Sequence, residues 1–122
     1  MEKYNKIFGT QGENAAEKYL AKKGYEILCR NFRIRGGEID IIARKGEFTV
    51  FVEVKTRHSA SFGTPGEAVT QNKIKRIINA ANYYIMQNGN LSCRFDVMEV
   101  YGSMKGDKFK LKKINHIENA FM

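Results

Sequence analysis

The chain has 122 residues with one proline and two cysteines, enough for one domain and not for two. Apolar residues at 43% and charged residues at 28% exclude a disordered chain, and two cysteines outside any CxxC pair exclude a disulfide framework. The excess of 21 Lys and Arg over 13 Asp and Glu gives a net charge of +8, which favours a polyanionic partner, most simply nucleic acid.

Cys29 and Cys93 read as ordinary buried thiols of a cytosolic protein. Residues 1–8 hold no apolar run of signal-peptide length, and no segment approaches the ~20 apolar residues of a membrane span. The expectation is a cytoplasmic protein with no membrane partner, folded as a single domain over residues 1–122.

The first periodic segment runs from Thr10 to Lys23, with Ala15, Ala16, Tyr19 and Leu20 as its apolar stripe and Gly24 as its stop. Glu13 lies beside that stripe rather than opposite it, and a carboxylate there needs a partner. Three strand-like runs follow: Tyr25–Arg33, Glu38–Ala43, and Phe48–Lys55 after a polar turn at 44–47. A glycine-containing stretch from Thr56 to Gly66, with the turn signal Phe62-Gly63-Thr64-Pro65-Gly66, reads as a functional loop.

Thr70 is placed to cap a second helix that ends before Gly89, with Ile74, Ile77, Ile78, Ala81 and Ile85 on its inner face. Lys73, Lys75 and Arg76 load its first turns with positive charge, against the helix dipole, which points to an anion nearby. Arg94–Tyr101 and Lys108–Ile114 read as two more strands, the last a lysine-rich edge, with a short tail from Asn115. The order is α-β-β-β-α-β-β, an α/β fold with one mixed sheet and its two helices on opposite faces.

The strand Phe48–Lys55 is apolar except for Thr49 and the two charged residues near its end, Glu53 and Lys55, which share a face with Phe51. If residues 44–47 form a four-residue hairpin loop, Ala43 pairs with Phe48 and Asp40 with Phe51. Asp40 then lies diagonally beside Glu53 on the same face, and Glu38 directly opposite Glu53 is a reserve carboxylate. Two adjacent carboxylates repel unless a cation holds them, and oxygen ligands suit Mg²⁺ or Mn²⁺. The Val54 carbonyl is placed to complete the metal shell, and Lys55 to orient the attacking water or hold phosphate oxygens. This is a working set for metal-assisted phosphodiester hydrolysis, although Glu-x-Lys alone more often marks a solvated ion pair.

Several motifs carry a family resemblance. Gly12-Glu13-Asn14-Ala15-Ala16, Arg30-Asn31-Phe32-Arg33, Gly37 to Ala43 (Gly-Glu-Ile-Asp-Ile-Ile-Ala) and Phe51 to Arg57 (Phe-Val-Glu-Val-Lys-Thr-Arg) resemble the YraN family of uncharacterised bacterial proteins. Phe62-Gly63, Lys73, Arg94-Phe95-Asp96-Val97 and Asn119-Ala120-Phe121 match as well, so the resemblance covers essentially the whole chain. That family is similar to restriction-endonuclease-like proteins, an α/β/α sandwich with the signature PD-(D/E)xK, and to Holliday-junction resolvases. The resemblance implies that Asp40, Glu53 and Lys55 are the signature triad and that Glu13 is the first-helix carboxylate that joins such sites. Ile39 stands where the signature has proline. The implied activity is a metal-dependent endonuclease acting on DNA, with branched or structured DNA suggested by the resolvase analogy, which also implies a symmetric homodimer.

Arg57, Gln71 and Lys73 are candidate nucleic-acid contacts, whereas His58 reads as a polar loop residue. Arg94 and Asp96 read as a structural pair, and Tyr83 and Tyr84 as core and rim residues of a helix. The rival readings are a catalytically idle nucleic-acid-binding module of the same fold and an interaction subunit serving another enzyme.

Overall fold

The computed structural model describes residues 2–61, 69–89 and 92–121. In chain order it contains α1 (Glu2–Lys22), β1 (Glu26–Ile34), β2 (Gly37–Lys45), β3 (Phe48–His58), a 3-10 turn at Ser59–Ser61, α2 (Gln71–Asn88), β4 (Ser92–Lys105) and β5 (Lys108–Ile117). The α-β-β-β-α-β-β order matches the sequence reading. The strands form one mixed sheet in the order β1-β2-β3-β4-β5, with β3 and β4 parallel and the other pairs antiparallel. A parallel pair cannot be joined by a tight turn, and α2 lies in the crossover between β3 and β4.

Alternation along β3 sends its side chains to two separate cores. Val50 and Val52 join Ala16 and Leu20 of α1, whereas Phe51 joins Ile77, Ala80 and Ala81 of α2. The helices therefore cover opposite faces, as expected. Full burial of β3 from Thr49 to Glu53 explains why it reads as a nearly unbroken apolar run. Two glycines allow the helices to approach. A Cβ on Gly12 of α1 would lie 1.9 Å from Thr56 Oγ1, and one on Gly37 would lie 2.5 Å from the Arg76 carbonyl oxygen.

Several boundaries differ from the sequence reading. Helix α1 begins at Glu2 rather than Thr10, because Phe8 is buried against Phe109 and His58, contacts distant in sequence. Strand β3 continues to His58, so Arg57 and His58 lie on the strand and not on a loop; parallel pairing carries it on to Gly102 of β4. Residues Phe62–Gly66 lie outside the described residues. Helix α2 matches expectation closely: Thr70 Oγ1 accepts a hydrogen bond from Lys73 N at 3.1 Å, and Gly89 closes the helix. The tail expected from Asn115 instead lengthens β5 to Ile117. Cys29 and Cys93 are half-buried and form no disulfide. Among the described residues, no helix is long and apolar enough to cross a membrane.

Candidate active site

The β2–β3 hairpin differs from the expected register. Lys45 pairs with Phe48, so the turn has two residues, Gly46 and Glu47, rather than four. Gly46 takes φ 58°, the left-handed backbone that a tight hairpin needs and that glycine accepts without strain. The observed ladder runs Ala43 to Val50, Ile42 to Phe51 and Ile41 to Val52. The slip from the expected register is two residues, so the facing of side chains survives it. Phe51 pairs with Ile42 rather than with Asp40, and Asp40 lies just beyond the last pair of the ladder, Ile41 with Val52. Glu38 therefore does not face Glu53; it pairs with Arg33 on β1.

Strand β2 is irregular at Asp40. Ile39 packs in the α2-side core and Ile41 in the α1-side core, although residues two apart on a regular strand share a face. Across the sheet, Arg30 pairs with Ile41 and Phe32 with Ile39, while Asn31 between them adopts φ 53°. Asparagine tolerates that left-handed backbone better than most residues. The break turns the Asp40 carboxylate toward β3, where Oδ2 accepts a hydrogen bond from the Val54 N–H at 2.8 Å. From there it acts on acids of both faces, raising the pKa of Glu13 from the α1 side and of Glu53 from the α2 side.

Glu53 is 7% exposed, and its Oε1 is buried without a hydrogen-bond partner among the described residues. Burial is the largest cause that pushes its pKa up to about 8; the Asp40 charge and a hydrogen bond with Asp40 add to it, while Lys73 and Lys55 oppose it. Two carboxyl groups can share a hydrogen bond only when one keeps its proton, so the neighbouring acid adds to what burial already does. Lys73 Nζ stands 3.8 Å from Glu53 Oε2, a loose contact, and 2.7 Å from Glu38 Oε1, a firm one. The charge that the sequence assigned to a phosphate is thus engaged inside the protein. Glu38 is held below its ordinary pKa chiefly by that hydrogen bond from Lys73.

Glu13 finds the partner its position demanded. Arg30 Nη2 lies 3.1 Å from Glu13 Oε1, while Arg30 Nη1 donates to Asn14 Oδ1 at 2.7 Å and to Glu17 Oε1 at 3.2 Å. Burial nonetheless raises the Glu13 pKa, helped by the Asp40 charge and opposed by Arg30. Lys55 lies one pleat beyond Glu53 on the same face and borders an open cavity of about 300 Å³ lined by Glu53 to Arg57. Arg57 Nε lies 3.4 Å from Glu99 Oε2, and Gln71 is exposed at the start of α2. Asp40, Glu53, Lys55 and Val54 thus meet at one end of the sheet, with Glu13 facing them across β2 and β3. Arg57 borders the same cavity, and Lys73 reaches the group from α2.

Sequence reasoning missed two participants, Arg30 and Asn31. The signal was available, since both stand in the Arg-Asn-Phe-Arg motif, but only the packing of α1 on β1 brings them to Glu13.

Comparison with known proteins agrees with the motifs. A family model described as uncharacterised protein family UPF0102 matches residues 12–100. A UPF0102 protein of Clostridium perfringens is 49% identical over 123 residues, covering 99% of this chain and 98% of the relative. Its counterpart in Caldicellulosiruptor saccharolyticus is 48% identical over 115 residues, covering 93% and 95%. One in Caldanaerobacter subterraneus is 48% identical over 124 residues, covering 99% and 100%. The motif-bearing segments from Gly12 to Val97 thus fall inside the matched span, and the chain belongs to the UPF0102 family, the YraN family of the sequence reading.

Proposed function

We propose that this protein is a divalent-metal-dependent endonuclease that hydrolyses phosphodiester bonds in DNA, with Asp40, Glu53 and Lys55 as its reacting set and Glu13 in support. The observation that carries the reading is the buried Glu53 carboxylate, one oxygen of which has no hydrogen-bond partner among the described residues, beside a second carboxylate. A fold with no use for that arrangement would fill it with a hydrogen-bond donor or an apolar side chain.

The donor set fits a hard cation. Asp40 and Glu53 offer carboxylate oxygens only, and Val54 adds a backbone carbonyl. Among the described residues, no three His, Cys, Asp or Glu converge as a closed metal cage. Mg²⁺ and Mn²⁺ do not require one, since they commonly use one or two carboxylates and take the rest of their shell from water and phosphate. Such an ion, when bound, lowers the pKa of a coordinated water and offsets charge growing on the phosphate.

The chain's own residues supply position and charge. The Val54 N–H holds Asp40 Oδ2 and so fixes that carboxylate beside Glu53. Lys55 borders the open cavity on the Glu53 face, where its ammonium can hold a nonbridging phosphate oxygen and orient the attacking water. In the reaction the water gives up a proton as its oxygen bonds to phosphorus, the bond from phosphorus to the leaving sugar oxygen breaks, and that oxygen takes up a proton, so the proton count is unchanged. Arg30 keeps Glu13 at the rim of this group and Lys73 neutralises Glu38, which keeps surplus negative charge away from an incoming polyanion.

The test uses purified protein, Glu53→Gln and Lys55→Ala with labelled duplex, single-stranded, flapped and four-way-junction DNA, in Mn²⁺, Mg²⁺ or EDTA. The expected result is cleavage by wild type alone and only with metal, strongest on the branched substrates. No cleavage of any substrate, with salt-sensitive binding kept by all three proteins, would establish the idle binding module instead.

A further inference from the structure

The early start of α1 builds a feature that the proposed chemistry does not use. Tyr4 and Phe8, one helical turn apart, stack with ring centroids 6.2 Å apart and planes 8° apart. Phe8 in turn stacks on His58 at 4.9 Å and 22°. Phe8 is buried, while Tyr4 is 41% exposed and His58 is exposed, so the ladder ends on open ring surface. It forms one wall of a cavity of about 460 Å³, within the usual range of about 300–1,000 Å³ for ligand sites. Glu13, Val54, Thr56 and Arg57 line the same cavity, and Val54, Thr56 and Arg57 also line the cavity above Glu53 and Lys55. The two spaces therefore share a wall at the end of β3.

We propose that this cavity receives an unpaired nucleobase, which stacks on the Tyr4–Phe8–His58 ladder while its strand crosses the Glu53–Lys55 end of the trough. The inference rests on the nucleic-acid reading of the site and narrows the substrate to strands that have an unpaired nucleotide next to the reacting phosphate. Exposed parallel rings beside a polar trough suit a base, because every base offers a flat π-face to an aromatic ring. The net charge of +8 provides the general attraction to the backbone. A base paired within a duplex keeps both its faces covered by its neighbours and cannot use the ladder.

The chain contains no tryptophan, so Tyr4→Trp places a single indole reporter at the end of the ladder. In EDTA, a single-stranded oligonucleotide should quench that fluorescence, whereas it should leave the indole of Tyr83→Trp, on α2, unchanged. Tyr4→Ala and His58→Ala should each weaken single-strand binding by about 5- to 150-fold, the usual worth of one stacked base, and leave binding of a blunt duplex of equal length unchanged. Thermal melting of each variant confirms folding, and Tyr4→Trp should retain wild-type affinity. Absence of quenching at saturating oligonucleotide, or equal weakening on duplex and single strand, overturns the inference. Cleavage by wild type in Mn²⁺ reports separately: cleavage without quenching sinks the base pocket alone, and quenching without cleavage sinks the nuclease reading alone.

Discussion

Asp96 on β4 is fully buried and Glu53 on β3 is 7% exposed, yet the fold treats these two acids in opposite ways. Asp96 Oδ1 accepts from Arg94 Nε at 2.9 Å and from the Asn119 N–H at 3.0 Å, while Oδ2 accepts from Arg94 Nη2 at 2.9 Å and faces His116 Nε2 at 2.7 Å. Burial alone would raise its pKa, but the bonds from His116, Arg94 and Asn119 outweigh it and hold the group below its ordinary value. Arg94 also reaches Tyr25 Oη at 2.5 Å, and the closing segment adds a bond from Ala120 N to the Phe95 carbonyl at 2.7 Å. This cluster pins the end of the chain to the core. Among the described residues, Glu53 has one oxygen without a hydrogen-bond partner, a loose lysine and a carboxylate for a neighbour. One acid is fully compensated by its neighbours and the other is not, and on the proposed reading that difference separates a structural group from a reacting one.

The sharpest break of that contrast is at Glu53 itself. Glu53→Gln should lower cleavage by on the order of 10³-fold, read as kcat/KM on the preferred DNA with Mn²⁺. The same substitution should stabilise the metal-free protein at high pH. The folded state keeps the Glu53 proton up to about pH 8, while the ordinary value is 4.5, so between them the native state binds more protons. Wild-type stability in EDTA should therefore fall as pH rises through that window, and Glu53→Gln should flatten the fall. Melting temperatures in EDTA at several pH values check the sign; equal pH profiles for the two proteins would remove the physical contrast.

Asp96→Ala should do the reverse, costing about 3–5 kcal/mol of stability because half-buried Arg94, His116 and the Asn119 N–H all lose the carboxylate they share. Activity per folded molecule should change little, as measured by denaturant titration beside a cleavage assay. The folded pKa of Asp96 is lowered, so its contribution is complete above the unfolded value and is lost as pH falls through the folded one. Acid unfolding of wild type should begin below the ordinary carboxylate range, and Asp96→Asn should be less sensitive there.

Gly12→Ala probes the join between the two regions. Its new Cβ would meet Thr56, at a cost of about 1–3 kcal/mol, and would push α1 off β3. Cleavage should fall more than stability explains, because Glu13 moves with the helix. Thr70→Ala is the smallest effect, about 1 kcal/mol from loss of the α2 cap, with cleavage unchanged at temperatures well below melting.

How much of this was legible in advance depends on the range of the interactions concerned. Helix α2 follows from Thr70, Gly89 and the apolar spacing between them, all local, and its bounds came out nearly unchanged. The facing of Glu53 and Lys55 follows from the two-residue period of a strand, which also tolerated the two-residue error in hairpin register. The start of α1 was missed because Phe8 is held by Phe109 and His58, about 100 and 50 residues away along the chain. Arg57 and His58 were read as loop because the turn-forming residues after them outweighed a strand whose last residues depend on pairing with β4.

By itself the sequence determined the family, the order of elements and the presence of an acid pair with a lysine, since motif spacing, periodicity and alternation are properties of neighbouring residues. Tertiary structure alone decided which acids remain unsatisfied. Asp40 turns toward Val54 where the side-chain alternation of β2 breaks opposite Asn31, and Asp96 is quieted because His116 and Asn119 of the closing segment fold back to join its strand neighbour Arg94. The charge state of a buried carboxylate is set by what the fold brings within hydrogen-bonding distance of it, and no local pattern encodes that.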